Sequence, residues 1–432
     1  MKVLIITYYW PPAGGSGVQR WLKFVKYLRD FDIEPIVFTV DNPSYAINDA
    51  ALKNEIPEGI EVIKQPIWEP NDLFSFLGSK NKGVSAGFLS PNPSAIGKML
   101  HYIRANYFIP DARKFWIKPS VKKLKNYLKN NRVDLIISTG PPHSVHLIAK
   151  ELKDACKLPW IADFRDPWTD IDYFHQLPLT KKAKNRHFQM EKDVVQTADA
   201  VLVVGKTMQE TYQKLNVNTH VIYNGFDTKK ENDSKIRLDK EFSLTHIGLM
   251  NNDRNHEILW QVISELCIEN EGFKNDFKLN LIGKIAPEVL DSIKEFDLKD
   301  YVTITNYVPH NQVLEFQKKS QVLLLSVNNV PSAKGILTGK IFEYLNAKRP
   351  IVAIAPSEGD LAAILNECNA GVCIDFTDKE KLKNVLLNFY ADYKNSNLES
   401  KAVNIDQFHR KSLTKSLSEI ICTLVQATKN NK

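Results

Sequence analysis

The residues best suited by type and spacing to do chemistry lie in "GILTGKIFEYLNAKRP", residues 335 to 350. After the apolar run "VLLLSV" and a loop, Thr338-Gly339-Lys340 opens a helical pattern. Its first-turn amides are therefore unpaired and carry the partial positive charge of a helix start. Backbone amides beside a lysine suit a diphosphate. Glu343, one turn further on, can accept two hydrogen bonds from neighbouring hydroxyls such as those of a ribose. Taken singly, Glu343 is also an ordinary favourable charge near a helix N-terminus.

A second candidate is "YYWPPAGGSGVQRW", residues 8 to 21, between the run "KVLIIT" and another helical pattern. Gly15-Ser16-Gly17 fits a dinucleotide fingerprint until its last place, where Arg20 replaces the glycine that lets helix and strand pack closely. Walker A spacing is absent here and in "GILTGKI", where the glycines are one residue too close and Ile341 follows the lysine. What is left is a tight βα turn at which a phosphate-bearing ligand can approach the backbone of Gly15, Ser16 and Gly17.

Two further sets follow apolar runs. His143 and His146, after "STGPP", are three residues apart at a helix start and share a face. "DFRDPW" puts Asp163, Arg165 and Asp166 at a strand end, where one carboxylate could orient or deprotonate a hydroxyl. An Arg–Asp pair pinning the loop would use the same residues.

The elements that must position these groups are legible as a rhythm. "VLIIT", "IVFTV", "DLIIST", "WIADF", "AVLVVG" and "HVIYN" alternate with longer helical patterns, and "SLTHIG", "KLNLIG", "VTITN", "VLLLSV" and "PIVAIA" repeat it. Continuous apolar runs alternating with helices predict an α/β protein of two Rossmann-like, doubly wound domains facing a cleft. The polar stretch "DTKKENDSKIRLDKEF", residues 227 to 242, reads as the linker. Expected bounds are 1–230 for the first domain and 231–405 for the second, with an amphipathic helix over 406–432. Ligands of open parallel sheets bind beyond the carboxyl ends of the strands. Gly248 in "HIGLMNNDR" and Gly283 in "LIGK" therefore join the candidates.

The chain of 432 residues, 43% hydrophobic and 25% charged, is large enough for two cores. It shows no signal-peptide pattern and no apolar stretch near the roughly 20 residues that span a bilayer. Five scattered cysteines without C-x-x-C spacing fit a reducing cytoplasm. The net charge of +7 is uneven: residues 98–132 hold ten Lys or Arg against Asp111 alone, leaving the remainder slightly acidic. Tyr102, Tyr107, Phe108, Phe115 and Trp116 interleave with that charge, a mixture suited to an anionic membrane surface, although such runs are also ordinary solvated helix faces. Nucleic acid is not among the expected partners.

With these motifs in view, the chain resembles the GT-B glycosyltransferases, most closely glycosyltransferase family 4, over nearly its full length. The resemblance rests on Gly14-Gly15-Ser16-Gly17, on Tyr223-Asn224-Gly225-Phe226-Asp227, and on Gly339-Lys340-Ile341-Phe342-Glu343-Tyr344-Leu345-Asn346-Ala347. It implies a nucleotide diphosphate sugar as donor, a saccharide or lipid-linked saccharide as acceptor, retention at the anomeric carbon, and no metal or other cofactor. Glu343 would hold the ribose, and Lys340 with the amides at 338 to 340 would face the pyrophosphate. Arg254 would add a second cation to stabilise the leaving nucleotide. His143 would touch the transferred sugar, with Asp166 near the reacting hydroxyl and Arg20, Asp163 and Arg165 on the acceptor side. The last helix would return to the first domain. Such an enzyme would work in polysaccharide or glycolipid synthesis, in the cytoplasm or at the inner face of the membrane.

The sequence departs from the family twice. The first of a glutamate pair eight residues apart would fall at Gly335, and Gly248 is followed by Leu249 rather than arginine, with Arg254 in a lysine's place. Three other readings share parts of the pattern: a nucleotide-sugar epimerase of the same fold, a dehydrogenase using Asp41 after "IVFTV", and a non-catalytic nucleotide-binding protein.

Overall fold

A computed structural model describes residues 1–45, 47–69, 95–228, 236–306, 308 and 310–430. The expected linker falls partly at 229–235, outside the described residues. The chain forms two compact units, Met1–Tyr223 with Arg410–Lys432, and Asn224–His409.

In the first unit the apolar runs become seven strands: β1 (Lys2–Thr7), β2 (Glu34–Val40), β3 (Glu61–Gln65), β4 (Leu135–Gly140), β5 (Trp160–Phe164), β6 (Ala200–Val203) and β7 (Thr219–Val221). They pair in parallel in the order β3-β2-β1-β4-β5-β6-β7. Alternate residues of β1 serve different cores, Leu4 and Ile6 on one face and Val3 and Ile5 on the other. That is why the run is apolar throughout instead of alternating. The final helix, Arg410–Asn430, lays Leu413, Leu417, Ile421 and Val425 into the core that Trp21, Phe24 and Leu28 of the helix Ser16–Leu28 help to build.

The second unit has β8 (Phe242–Ile247), β9 (Phe277–Ile282), β10 (Val302–Thr305), β11 (Val322–Ser326), β12 (Ile351–Ile354) and β13 (Gly371–Ile374), in the parallel order β10-β9-β8-β11-β12-β13. Both sheets reverse their winding beside their first strand, between β1 and β4 and between β8 and β11. Such a switch point opens a crevice at the carboxyl ends of the strands. The edge strands β3 and β13 were not anticipated. β3 is half exposed and reads "EVIKQ", and β13 is four residues long and starts with glycine, so neither shows a buried apolar run.

The basic segment divides. The helix Ile117–Asn130 buries Ile117, Val121 and Leu124. Trp116, expected among the surface aromatics, is instead fully buried and stacked on Phe38 at 5.3 Å. The helix Ala95–Tyr107 has no buried residue and exposes Ile96, Met99, Tyr102 and Tyr107. Among the described residues no helix is long and apolar enough to cross a membrane.

Candidate active site

In the second unit the strand ends and the helix Lys340–Ala347 build one constellation. Gly248, directly after β8, has φ 122°, and Gly283, directly after β9, has φ 125°; L side chains rarely adopt either. A Cβ on Gly283 would lie 2.5 Å from the Gly248 carbonyl oxygen, so the two strand ends meet backbone to backbone. A Cβ on Gly248 would lie 2.3 Å from Nζ of Lys340. The lysine amine therefore rests on the bare α-carbon of Gly248, a place open to it only because residue 248 has no side chain.

Burial brings the Lys340 amine down to a pKa of about 7; Arg254 adds to the effect and Glu343 opposes it. Among the described residues no carboxylate lies within ion-pair distance of that amine. Arg254 is held in place by its own bonds, Nε donating to Asn328 Oδ1 at 2.7 Å and Nη1 to the Leu249 carbonyl at 2.8 Å. His246, buried between β9 and β11, is kept neutral with a pKa of about 3, through burial first and then Lys340 and Arg254. Two cations thus converge on a spot with little countercharge, as a site for a bound anion requires.

The start of the helix is partly satisfied. Thr338 Oγ1 accepts the Lys340 N–H at 3.3 Å, so that amide, expected to face a pyrophosphate, is already taken. Gly339 occupies the N-cap, and a Cβ there would meet no protein atom within 4 Å. Glu343 is half-buried and accepts from Gln317 Nε2 at 3.2 Å. The Tyr344 hydroxyl accepts the Ile247 N–H and donates to the Leu324 carbonyl, fastening this helix to the end of β8 and the middle of β11.

In the first unit three expected acceptor-side residues prove to be internal ties. Arg20 and Asp163 form a buried ion pair, Nη2 to Oδ1 at 2.8 Å; Arg20 also donates to the carbonyls of Ile222 and Tyr223, and Trp21 Nε1 donates to Asp163. Burial alone would raise the Asp163 carboxyl, but Arg20 and these donors outweigh it and hold it below the ordinary value. Arg165 turns its guanidinium onto the carbonyls of Gly17, Gly140 and Pro141, clamping the turn after β1 to the turn after β4. An arginine presents five donors in a rigid fork, and three inward-facing carbonyls use them before any ligand can.

The glycine turn itself leads into the helix Ser16–Leu28, with Gly15 at φ 84° as its N-cap. Gly17 has no room for a side chain, since a Cβ would lie 2.8 Å from Arg165 Nη1. The Ser16 side chain lies outside the described residues. Asp166 is exposed just beyond β5.

The two histidines share a face, their rings 5.9 Å apart, but they meet different partners. His146 is fully buried, its Nδ1 2.9 Å from Ser138 Oγ, which accepts from Trp160 Nε1. His143 lies nearer the surface at 8% exposure, with Nδ1 unpartnered among the described residues. Its pKa is driven well below the ordinary value, by burial first, then by His146, His187 and Arg165. Its ring stacks on Trp168, centroids 4.4 Å apart and planes 3° from parallel. Trp168, His246, Asn328 and Gln317 were not singled out from the sequence. A histidine inside the apolar run "SLTHIG" was the one available signal.

Two Rossmann-like parallel sheets, one carrying a cationic strand-end site, define the GT-B class. Residues 80–230 match the model of Glycosyltransferase Family 4, and residues 241–392 that of Glycosyl transferases group 1. The chain is a GT-B glycosyltransferase resembling family 4. Among solved structures it is similar to sucrose-phosphate synthase from Thermosynechococcus elongatus, at 15% identity over 99% of this chain and 98% of that one, TM-score 0.57. It is similar also to WaaG, a glycosyltransferase involved in lipopolysaccharide biosynthesis, at 13% identity over 97% and 99%, TM-score 0.56. A putative UDP-N-acetylglucosamine 2-epimerase from Listeria monocytogenes has the same fold, at 10% identity over 99% and 97%, TM-score 0.57. At these identities the likeness concerns the fold. No curated protein matches in sequence.

Proposed function

We propose that this glycosyltransferase moves a sugar from a nucleotide diphosphate sugar to a hydroxyl of a saccharide or lipid-linked saccharide, with retention at the anomeric carbon. The observation that carries the reading is the Lys340 amine lying on Gly248, with Arg254 close enough to depress its pKa and Glu343 one turn along the same helix. The two cations hold the diphosphate and stabilise the charge that develops as the nucleotide leaves. The backbone N–H at Gly339 donates to a phosphate oxygen, and Glu343, held by Gln317, accepts from the ribose hydroxyls. In the first unit His143 contacts the transferred sugar and Asp166 orients the acceptor, while Arg20, Asp163 and Arg165 fix the turns that carry them. With retention, a donor phosphate oxygen takes the acceptor proton, so the protein contributes mainly positioning.

A melting-temperature panel of UDP, GDP and ADP and their sugars tests this, because a ligand that binds only the folded chain raises the melting temperature. At least one sugar nucleotide should do so by several degrees, and the same compound should lose its nucleotide when an acceptor is supplied. Formation of a free epimer from donor alone, with no acceptor, would overturn the reading in favour of an epimerase.

An acceptor at a lipid surface is supported by the helix Ala95–Tyr107, whose exposed Ile96, Met99 and Tyr102 lie beside Lys98 and Arg104. Sedimentation with vesicles should show binding that rises with phosphatidylserine content and falls with salt. Met99→Glu should weaken it about tenfold, and equal binding to neutral vesicles would remove the claim.

A further inference from the structure

We propose that Glu191 is a positioning residue for the sugar-handling edge of the first unit, acting through Trp168 on His143. The inference rests on the reading of His143 and Asp166 given above. Glu191 lies on the helix Lys181–Thr197 and is 7% exposed. Its two oxygens take four donors: Oε1 accepts the Trp168 N–H at 3.1 Å, the Thr169 N–H at 3.4 Å and the Tyr212 hydroxyl, and Oε2 accepts the Thr169 hydroxyl. Among the described residues no lysine, arginine or histidine pairs with it. A buried carboxylate without a cation is an expensive group to keep, and burial does raise its pKa against the pull of those donors.

The four donors locate the benefit. Two of them are backbone amides of consecutive residues, so Glu191 fixes the path of the chain at Trp168-Thr169. The other end of that short turn is fixed at Arg165, whose guanidinium grips Gly140 and Pro141. Asp166 is held exposed between the two anchors. Trp168 is then locked by its own Nε1, which donates to His187 Nδ1 at 3.1 Å. With backbone and indole nitrogen both tied, its ring can face only one way, and that face is the stack on His143. Since Nδ1 of His143 has no partner among the described residues, the stack sets the plane of the imidazole where a hydrogen bond ordinarily would. A misplacement of about 1 Å at such a group can cost about a hundredfold in rate.

The test uses the full chain and whichever UDP, GDP or ADP sugar the panel identifies. Glu191→Gln and Trp168→Leu should each lower kcat by about 10- to 100-fold with KM for the donor nearly unchanged. Trp168→Phe, which keeps an aromatic face, should recover most of the loss. His143→Ala combined with Glu191→Gln should be no slower than the slower single variant, because both act through one ring. Imidazole NMR of the unliganded protein gives an independent reading. The His143 resonances should carry a ring-current shift that persists in Trp168→Phe and is lost in Trp168→Leu and Glu191→Gln. If Glu191→Gln fails to fold, Tyr212→Phe removes one of the four donors and should show the same effects at smaller size. Full kcat in a folded Glu191→Gln, an unmoved His143 resonance there, or multiplying effects in the double variant would overturn the proposal. A slow His143→Ala beside a fully active Glu191→Gln would refute this inference alone. Wild-type kcat in both His143→Ala and Asp166→Asn would instead remove the reading on which it rests.

Discussion

Lys340→Met should lower kcat/KM for the sugar nucleotide by about 10²- to 10³-fold, the usual consequence of removing one preorganised group that stabilises developing charge. The chain should nonetheless fold, because methionine fills a similar space on Gly248 and brings no charge to desolvate. The sign of the pH effect follows from the pKa of about 7 in the folded protein, far below the ordinary lysine value of 10.5. Between pH 7 and 10 the unfolded chain keeps this proton while the folded chain sheds it. Wild type should therefore gain stability relative to Lys340→Met as pH rises through that window, and denaturation of the pair at pH 7 and pH 9 measures it. Binding runs the other way. An anion beside the amine restores the proton, so affinity for a sugar nucleotide should fall as pH rises above about 7 and level off below it. Calorimetry at pH 8 in two buffers of different ionisation enthalpy should show proton uptake in wild type and none in Lys340→Met. The intact donor is the right probe, since its esterified phosphates do not titrate there. Equal uptake in both proteins would show that Lys340 is not the group that meets the diphosphate.

Gly248→Ala should abolish donor turnover to about the same extent, for a geometric reason. Its methyl would occupy the place of the lysine amine, 2.3 Å from Nζ and 2.4 Å from Cε, at a φ of 122° that a side chain tolerates poorly. The backbone strain costs about 1–3 kcal/mol of stability. The amine, at the end of a flexible chain, simply moves away and leaves the site without its cation. A double variant with Lys340→Ala has no amine to displace, so its turnover should match that of Lys340→Ala alone. Wild-type turnover in a folded Gly248→Ala, or a double variant far slower than either single one, would dissociate the glycine from the lysine.

Much of this arrangement is legible in the amino-acid sequence. Thr338-Gly339-Lys340 and Glu343 were readable because a helix start has fixed chemistry: unpaired amides, a partial charge, and side chains one turn apart on one face. The parallel strands were readable because both faces of each sheet are covered, which makes the runs apolar throughout. β3 and β13 escaped because edge strands need no such run.

The sequence was least informative where one residue type serves two purposes. Arg20, Asp163 and Arg165 have the chemistry to meet an acceptor, yet carbonyls and a carboxylate 143 residues away claim them first. Trp116 sits in a basic run but belongs to the core. Glu191 lies in "QMEKDVV", with nothing in its neighbours to mark it out.

By itself the sequence determined the local matters: which runs are buried, where helices begin, that the last helix has an apolar face, and which groups could bind a diphosphate. Only the tertiary structure decided which partners those groups meet. It set the Lys340 amine on Gly248, gave His143 and His146 different partners, and gave the last helix its seat beside Ser16–Leu28. Periodicity and capping depend on neighbours within a turn or two of the chain, whereas burial, ion pairing and stacking depend on distances that close only when remote segments pack.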